Sequence, residues 1–205
     1  MPLERALAAL HDHEIIIVVD ERGRGRGDLV AAGRTISDAQ VNFMAAHGRG
    51  LVSVALAPAR VDALRLRPMA AGWGVADRAF TVSVEAASGI STGISTRERA
   101  HTIRTLAAVT ARPEDLVSPG HVFPLRAASG GLRERWGRLE AAVALVERAG
   151  LGDAAAICEI LDDDGELADL SGIERLVFEH GLRVVSIGEI ARATETRAQE
   201  ERIWP

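Results

Sequence analysis

Apolar residues recur along the chain at two alternating spacings, which predicts that helices and strands follow one another. Residues 3–11 carry Leu and Ala at helical spacing, and the β-branched run at 15–19 is typical of a buried strand. Further strand-like runs lie at residues 51–55, 80–85, 121–125, 154–160 and 183–186. An apolar-periodic stretch at 139–149 predicts a helix between the runs at 121–125 and 154–160.

Four of the predicted helices begin with the same device, a Ser followed three residues later by Gln or Glu. In this capping box the Ser side chain accepts a hydrogen bond from the backbone N–H three residues on, and the Gln or Glu side chain bonds back to the Ser N–H. The pairs are Ser37 with Gln40, Ser95 with Glu98, Ser171 with Glu174, and Ser186 with Glu189. Each pair precedes an apolar-periodic stretch, so we predict a helix start at each.

The alternation of strands and helices predicts an α/β or α+β fold in a single domain spanning residues 1–205. With 205 residues, 47% of them hydrophobic, the chain can bury one sizeable core. It contains neither a Gly-x-Gly-x-x-Gly fingerprint nor any lysine, so no dinucleotide motif and no phosphate-loop lysine assigns a ligand.

Composition argues against several classes of partner. The net charge of −5, with three Trp, four Phe and no Tyr, predicts no nucleic-acid binding. No apolar run is long enough for a membrane span, and the N-terminus lacks the pattern of a signal peptide. The lone cysteine, Cys158, excludes an internal disulfide and lies in an apolar run typical of a buried thiol. We therefore expect a cytoplasmic protein with no membrane partner.

Two arginine-rich stretches are candidates for contact with an anion. At 20–28 glycines alternate with arginines, which permits close approach of backbone and guanidinium groups to a ligand. We expect no regular element there, and a mobile surface loop is the alternative. At 118–141 a short strand is followed by a glycine loop, several arginines and a helix start. That order is typical of an anion pocket, and a solvated arginine-rich loop is the alternative.

Several blocks of the chain are similar to one enzyme family. Residues 118–126, Ser-Pro-Gly-His-Val-Phe-Pro-Leu-Arg, resemble the Arg-Pro-Gly-His-Val-Phe-Pro-Leu-Arg motif of the 3,4-dihydroxy-2-butanone 4-phosphate synthases. Residues 79–86 are similar to that family's Gly-Phe-Thr-Val-Thr-Ile-Glu-Ala strand. Residues 92–99 resemble its Thr-Gly-Ile-Ser-Ala-x-Asp-Arg block, and 157–160 resemble its Leu-Cys-Glu-Leu. The resemblance covers nearly the whole chain.

This resemblance implies a fold, an assembly and a reaction. The fold would be an α/β (α+β) sandwich, normally a homodimer with active sites at or near the subunit interface. The family removes formate from ribulose 5-phosphate with the help of Mg²⁺. A small anionic metabolite is therefore the expected partner.

The resemblance also assigns the metal ligands, and both positions depart from the family. Arg24 stands where the family has a metal-binding Glu, and Arg138 stands where it has a metal-binding His. A guanidinium has no lone pair to offer Mg²⁺, which demands a near-octahedral array of donors. Two such changes imply that the site keeps a positive charge but no longer binds the metal ion, so we expect no metal cofactor.

The remaining family positions match this chain more closely. Asp28 and Glu159 match the substrate-binding Asp and the late catalytic Glu, and they are the candidate acid and base. Arg135 matches the phosphate-contacting Arg, so we expect it to bind an anion with Arg24 and Arg138 and to contribute little to folding. The other candidate substrate contacts are Ser95, Arg99, Thr102 and His121.

Three functional interpretations follow. The leading one is a divergent relative of the synthase that acts without metal on a small phosphorylated or carboxylated metabolite. The second is the ordinary synthase reaction with an altered metal site. The third is a catalytically silent protein that binds a ligand or a partner subunit, because a shared fold does not by itself settle function.

Overall fold

The computed structural model describes residues 2–22, 25–69 and 79–203, with side chains of the last helix described as far as residue 195. Within these ranges, one mixed sheet of seven strands carries helices on both faces. The strands are β1 (Ile16–Asp20), β2 (Arg26–Ala32), β3 (Ser53–Leu56), β4 (Val84–Ala86), β5 (Leu116–Arg126), β6 (Ala154–Glu159) and β7 (Arg183–Ser186). The α-helices are α1 (Pro2–His11), α2 (Asp38–Phe43), α3 (Pro58–Ala63), α4 (Thr96–Ala107), α5 (Arg138–Arg148), α6 (Leu170–His180) and α7 (Ile187–Ile203).

The sheet has the strand order β4-β5-β3-β6-β2-β1-β7. β6 lies at its centre and runs antiparallel to both neighbours, β2 and β3. β1 forms an antiparallel pair with β2 and a parallel pair with β7, and β3 runs parallel to β5. The mixed α/β architecture expected from the sequence is confirmed.

Strand side chains alternate between the two faces of the sheet, which gives two separate apolar cores. One core lies between the sheet and helices α2, α3, α4 and α6, and includes Leu29, Leu56 and Ile103, all fully buried. The other lies between the sheet and α1, α5 and α7, and includes Ile16, Leu145 and Ile190. Burying each such side chain stabilises the fold by about 1.5–3 kcal/mol, so these cores hold the helices to the sheet.

Three of the four predicted helix starts are confirmed. Ser37 and Gln40 form a complete capping box, and Ser95 caps α4. Ser186 and Glu189 exchange the same two bonds at the start of α7. The start at Ser171 is wrong. Asp169 caps α6 instead, and its carboxylate accepts from the N–H of Gly172 at 3.0 Å.

Strand boundaries differ from expectation at the glycine-rich turn. The prediction of an irregular loop over 20–28 is wrong at both ends, because β1 extends to Asp20 and β2 begins at Arg26. Asp20 pairs with Arg26 in the antiparallel β1–β2 ladder, and Gly27 leaves room for Ile173 of α6. The strand predicted at 80–85 is shorter, since only Val84–Ala86 form β4.

In the described part of the chain, every helix is too short or too polar to cross a bilayer.

Candidate active site

Asp28, Glu159 and Arg138 form one ion-paired cluster near one end of the central strands β2 and β6. Asp28 on β2 and Glu159 on β6 are direct partners in the antiparallel register. Arg138 donates from Nε to Oδ1 of Asp28 at 2.6 Å and from Nη2 to Oε1 of Glu159 at 2.8 Å. One guanidinium therefore bridges two carboxylates that neighbouring strands hold side by side.

Local structure explains why these groups meet. Asp28 and Val30 lie on the same face of β2, and Val30 belongs to the core beneath α5. The first residue of α5 is Arg138, which follows the N-cap Gly137. Its side chain thus starts at the helix end nearest the two carboxylates. A Cβ at Gly137 would lie 2.6 Å from Oε2 of Glu140, so glycine allows the close approach of this turn.

The environment of Asp28 changes its acidity. The residue is 4% exposed, and burial raises the pKa of its carboxyl from 3.8 to about 6, although Arg138 opposes the change. Glu159 is half exposed at 52% of its side chain, so the two carboxylates differ in access to solvent. A carboxyl with a pKa near 6 can accept and return protons close to neutral pH.

Arg135 has a different carboxylate partner from Arg138. Its Nε and Nη2 both donate to Oε1 of Glu140, at 2.8 and 2.5 Å, and Nη2 also donates to the carbonyl of Arg126 at 3.2 Å. Arg135 lines a cleft of about 770 Å³ together with Ala128 and Ser129, which follow β5, and with residues of β5 and α3. Arg135 and Arg138 are near in sequence, but their side chains make separate ion pairs.

His121 is oriented by Glu85 of the edge strand β4. Its Nδ1 contacts Oε1 of Glu85, which is 14% exposed, and the imidazole is 47% exposed. Nothing in the sequence patterns singled out Glu85 as a partner. Glu85 is the second-last residue of the block 79–86, and its partner can be identified only once the β4–β5 register is known.

The other predicted contact residues lie on or beside α4. Ser95 is at its N-cap and bonds Glu98, while buried Thr102 accepts from the N–H of Ala86 at 3.1 Å. Arg99 is partly buried, and burial lowers the pKa of its guanidinium. Its Nε has no hydrogen-bond partner among the described residues. Ser95 and Thr102 thus have structural partners, whereas Arg99 retains an unused buried donor.

Arg22, in the described part of the glycine-rich loop, contacts a residue just before α5. The guanidinium carbon of Arg22 lies 3.7 Å from the centre of the Trp136 ring, a cation–π geometry. Trp136 was not among the residues predicted to be functional. Arg24, predicted to bind the anion, lies outside the described residues.

The cluster around Arg138 does not fit a magnesium ion. The guanidinium occupies the space between Asp28 and Glu159 and carries no lone pair for a metal. Across residues 2–22, 25–69 and 79–203, no group of three His, Cys, Asp or Glu side chains is placed to hold an ion. The chemistry available at this position is therefore that of a fixed positive charge.

Comparisons with known proteins agree with the fold and the motifs. The family model of 3,4-dihydroxy-2-butanone 4-phosphate synthase matches residues 4–193. A synthase of that name from Agrobacterium fabrum is 41% identical over 203 residues, which are 98% of this chain and 95% of that protein.

Solved structures give the same result. A synthase in complex with two magnesium ions superposes with a TM-score of 0.88 at 34% identity, covering 95% of this chain and 96% of that one. A two-domain synthase from A. baumannii has a TM-score of 0.85 at 38% identity over 90% of this chain. The present chain spans 55% of that two-domain protein. With the shared sheet, the matching motifs and these similarities together, the chain belongs to the 3,4-dihydroxy-2-butanone 4-phosphate synthase family.

Proposed function

We propose that this chain is a divergent member of the family that acts on a small phosphorylated keto sugar or a similar anionic metabolite without a bound metal. The observation that carries the proposal is the position of Arg138. It bridges Asp28 and Glu159 with contacts of 2.6 and 2.8 Å, at the place where the family resemblance expects a metal ligand. A fixed guanidinium supplies the positive charge there instead.

The proposed chemistry is proton transfer next to a carbonyl group. Asp28 removes a proton from the carbon beside the carbonyl, the electron pair of that C–H bond forms a C=C bond, and the π pair of the C=O bond moves to the carbonyl oxygen. Arg138 donates to the resulting oxyanion and stabilises it, as preorganised donors do in other enzymes. Its bonds to the carboxylates use Nε and Nη2, and Nη1 makes no hydrogen bond to the described residues. Asp28 then returns the proton.

Acidity supports the role of Asp28. With a pKa of about 6, caused by burial, the carboxyl is mostly ionised at neutral pH and still basic enough to accept a proton. Glu159 is more exposed and lies beside it, so it is suited to exchange protons with solvent or with a second position of the ligand.

Arg135 remains our candidate for the phosphate of the ligand. Its side chain is 40% exposed, and the residue lines the cleft of about 770 Å³ together with Ala128 and Ser129. Glu140 fixes the orientation of the guanidinium through two bonds to Nε and Nη2. A fixed guanidinium at a cleft wall is a common means of binding phosphate.

Ribulose 5-phosphate in deuterated buffer tests the proposal. We expect exchange of its carbon-bound protons beside the carbonyl, observed by proton NMR, to proceed equally with EDTA and with added Mg²⁺. Arg138→Met should reduce this exchange by about 100-fold or more, because it removes the oxyanion donor. Exchange that requires Mg²⁺ would overturn metal independence, and absence of both exchange and binding would overturn an enzymatic role on this substrate class.

The ordinary synthase reaction is the second candidate. The 41% identity to a named synthase over 98% of the chain favours it, as does the retention of Asp28, His121 and Glu159. Formate release from ribulose 5-phosphate, measured with and without Mg²⁺, identifies this reaction. The homodimer expected from the resemblance also stays a prediction, and light scattering at micromolar concentration tests it.

A further inference from the structure

Glu85 is held in a tight pocket formed by two glycines. A Cβ at Gly93 would collide with the carboxylate of Glu85, and one at Gly120 would collide with the Val84 carbonyl and the Glu85 side chain. Gly93 has a φ of +78°, which few residues other than glycine adopt. The loop and the strand therefore close on Glu85 from two sides and fix its carboxylate against His121.

The loop that carries Gly93 is itself held rigidly by Glu98 of α4. The Glu98 carboxylate accepts from the N–H groups of Ser91 and Gly93, at 2.6 and 3.0 Å, and from the hydroxyls of Ser91 and Ser95, at 2.6 and 3.1 Å. These bonds, those of Ser91 first, lower the pKa of Glu98 to about 2, so it stays ionised. The pocket around Glu85 is thus preformed by local structure.

The contact with Glu85 decides which nitrogen of His121 carries a proton. An ionised carboxylate can only accept, so Nδ1 must be the N–H donor when the imidazole is neutral. The second nitrogen, Nε2, then has a lone pair, and the described residues offer it no hydrogen bond. Because the imidazole is 47% exposed, that lone pair is open to a ligand.

His121 lies at the same end of the strands as the ion-paired cluster. Phe123, Ser53 and Ile157 are register partners across β5, β3 and β6. His121 and Glu159 each stand two residues beyond this row, so strand alternation places both on the face covered by α5. Two strand spacings separate their backbones by about 10 Å, a gap suited to a small sugar phosphate.

We propose that Glu85 is a positioning residue that fixes His121 in its Nδ1–H tautomer and so presents Nε2 as the proton acceptor for a hydroxyl group of the bound ligand. The hydroxyl proton moves to Nε2, and the electron pair of the O–H bond stays on the ligand oxygen. The imidazolium that forms is stabilised by the Glu85 carboxylate, and the proton returns to that oxygen when the ligand reacts further. This inference deepens the proposed function and depends on it for the ligand, but the tautomer itself does not require any ligand.

Nitrogen-15 NMR of labelled histidines tests the tautomer on the full chain without substrate, at alkaline pH where imidazoles are neutral. We expect the His121 spectrum, assigned with His121→Gln, to show the proton on Nδ1. His101 is the internal control, since its Nε2 lies 3.0 Å from the carbonyl of Ser88, which can only accept. Its proton must therefore be on Nε2. An Nε2–H signal for His121 in the unsubstituted protein would overturn the inference.

Two substitutions of Glu85 extend the test. Glu85→Ala should shift His121 toward the Nε2–H form and slow proton exchange on ribulose 5-phosphate by at least about tenfold. Glu85→Gln keeps an oxygen acceptor of nearly the same shape, so it should retain the Nδ1–H tautomer and lose less activity. The matched control, His101→Gln, alters the neighbouring loop without touching Glu85 and should leave exchange within about twofold.

The outcomes separate this inference from the proposed function. If the unsubstituted chain catalyses exchange and Glu85→Ala leaves its rate unchanged, the role of Glu85 is refuted while the proposed function stands. If no exchange occurs at all, the proposed function fails, and so does the proton-acceptor role of Nε2, whereas the tautomer result stands on its own.

Discussion

Arg135 and Glu140 form a two-point ion pair in which Nε and Nη2 of the guanidinium both donate to Oε1 of the carboxylate, at 2.8 and 2.5 Å. The Glu140 side chain is completely buried, whereas that of Arg135 is 40% exposed. The same Oε1 accepts from the N–H of Ala128 at 2.9 Å. The pair therefore joins the loop after β5 to the first turn of α5, in addition to any contact with a ligand.

Arg135→Ala should destabilise the protein by about 2–4 kcal/mol at neutral pH, because it leaves the buried carboxylate of Glu140 without its cationic partner. This differs from the expectation from sequence alone that Arg135 contributes little to folding. Urea unfolding measures the change. Arg133→Ala is the matched control, since Arg133 is an exposed arginine of the same loop and should change stability by less than about 0.5 kcal/mol. Equal stability of the two variants would contradict the structural role of the pair.

Asp28 should make the protein less stable as pH rises between about 4 and 6. Its carboxyl has a pKa of about 6 in the folded chain and 3.8 ordinarily, so within this window the folded state binds more protons than the unfolded state. The loss amounts to roughly 2–3 kcal/mol in total. Urea unfolding of the unsubstituted protein and Asp28→Asn across this range measures it. The stability difference between the two should change over pH 4–6, and a constant difference would show that Asp28 titrates normally.

Glu98 should have the opposite pH dependence. Its hydrogen bonds lower its pKa from 4.5 to about 2, so its stabilisation is complete above pH 4.5 and is lost as pH falls toward 2. Glu98→Gln should therefore be less stable at neutral pH and less sensitive to acid. Thermal unfolding of both proteins over this range is the measurement. Glu114→Gln, at an exposed carboxylate, is the control and should keep the acid sensitivity of the unsubstituted protein.

Magnesium binding should appear only when both arginines at the family's ligand positions are replaced. Titration calorimetry should detect no saturable Mg²⁺ binding to the unsubstituted chain. The double variant Arg24→Glu with Arg138→His supplies a carboxylate and an imidazole and should gain affinity, whereas Arg24→Glu alone, which keeps the guanidinium of Arg138, should not. Saturable binding to the unsubstituted chain would refute metal independence, and no gain in the double variant would refute the alignment of these positions.

Cys158 should resist thiol reagents in the folded protein. Burial raises the pKa of its thiol to about 12, so almost no thiolate forms near neutral pH. Its Sγ also faces the carbonyl of Met44 at 3.4 Å. Reaction with a chromogenic disulfide should be slow in native buffer and fast in denaturant. Rapid labelling of the folded chain would show that this core opens easily.

Local patterns in the sequence were sufficient where neighbouring residues decide the structure. The strand at 183–186 was predicted with its observed bounds, and the capping box of Ser37 and Gln40 was found from its spacing. Ser171 shows the limit of such reasoning. Asp169 lies two residues earlier and accepts from Gly172, so it caps the helix in place of Ser171. The Ser-x-x-Glu pattern does not take this competing cap into account.

The sequence identifies individual site residues, but it does not show which of them contact each other, because those contacts depend on long-range strand pairing. Asp28, Arg138 and Glu159 were each singled out, yet their mutual contacts follow from the β2–β6 register and the docking of α5. Glu85 and Glu140 were missed as partners of His121 and Arg135. Both are carboxylates within apolar periodic segments, and only the folded chain shows that their burial is compensated by a cation or an imidazole.

The central place of β6 has a consequence for synthesis of the chain. Its two neighbours, β2 and β3, come from the first third of the sequence, whereas β6 comes from the last third. Until β6 leaves the ribosome, one edge of each earlier strand has no partner, and exposed strand edges favour association between nascent chains. The polypeptide must therefore keep these edges apart for most of translation, and the Asp28–Glu159 pairing can form only when β6 joins the two halves of the sheet.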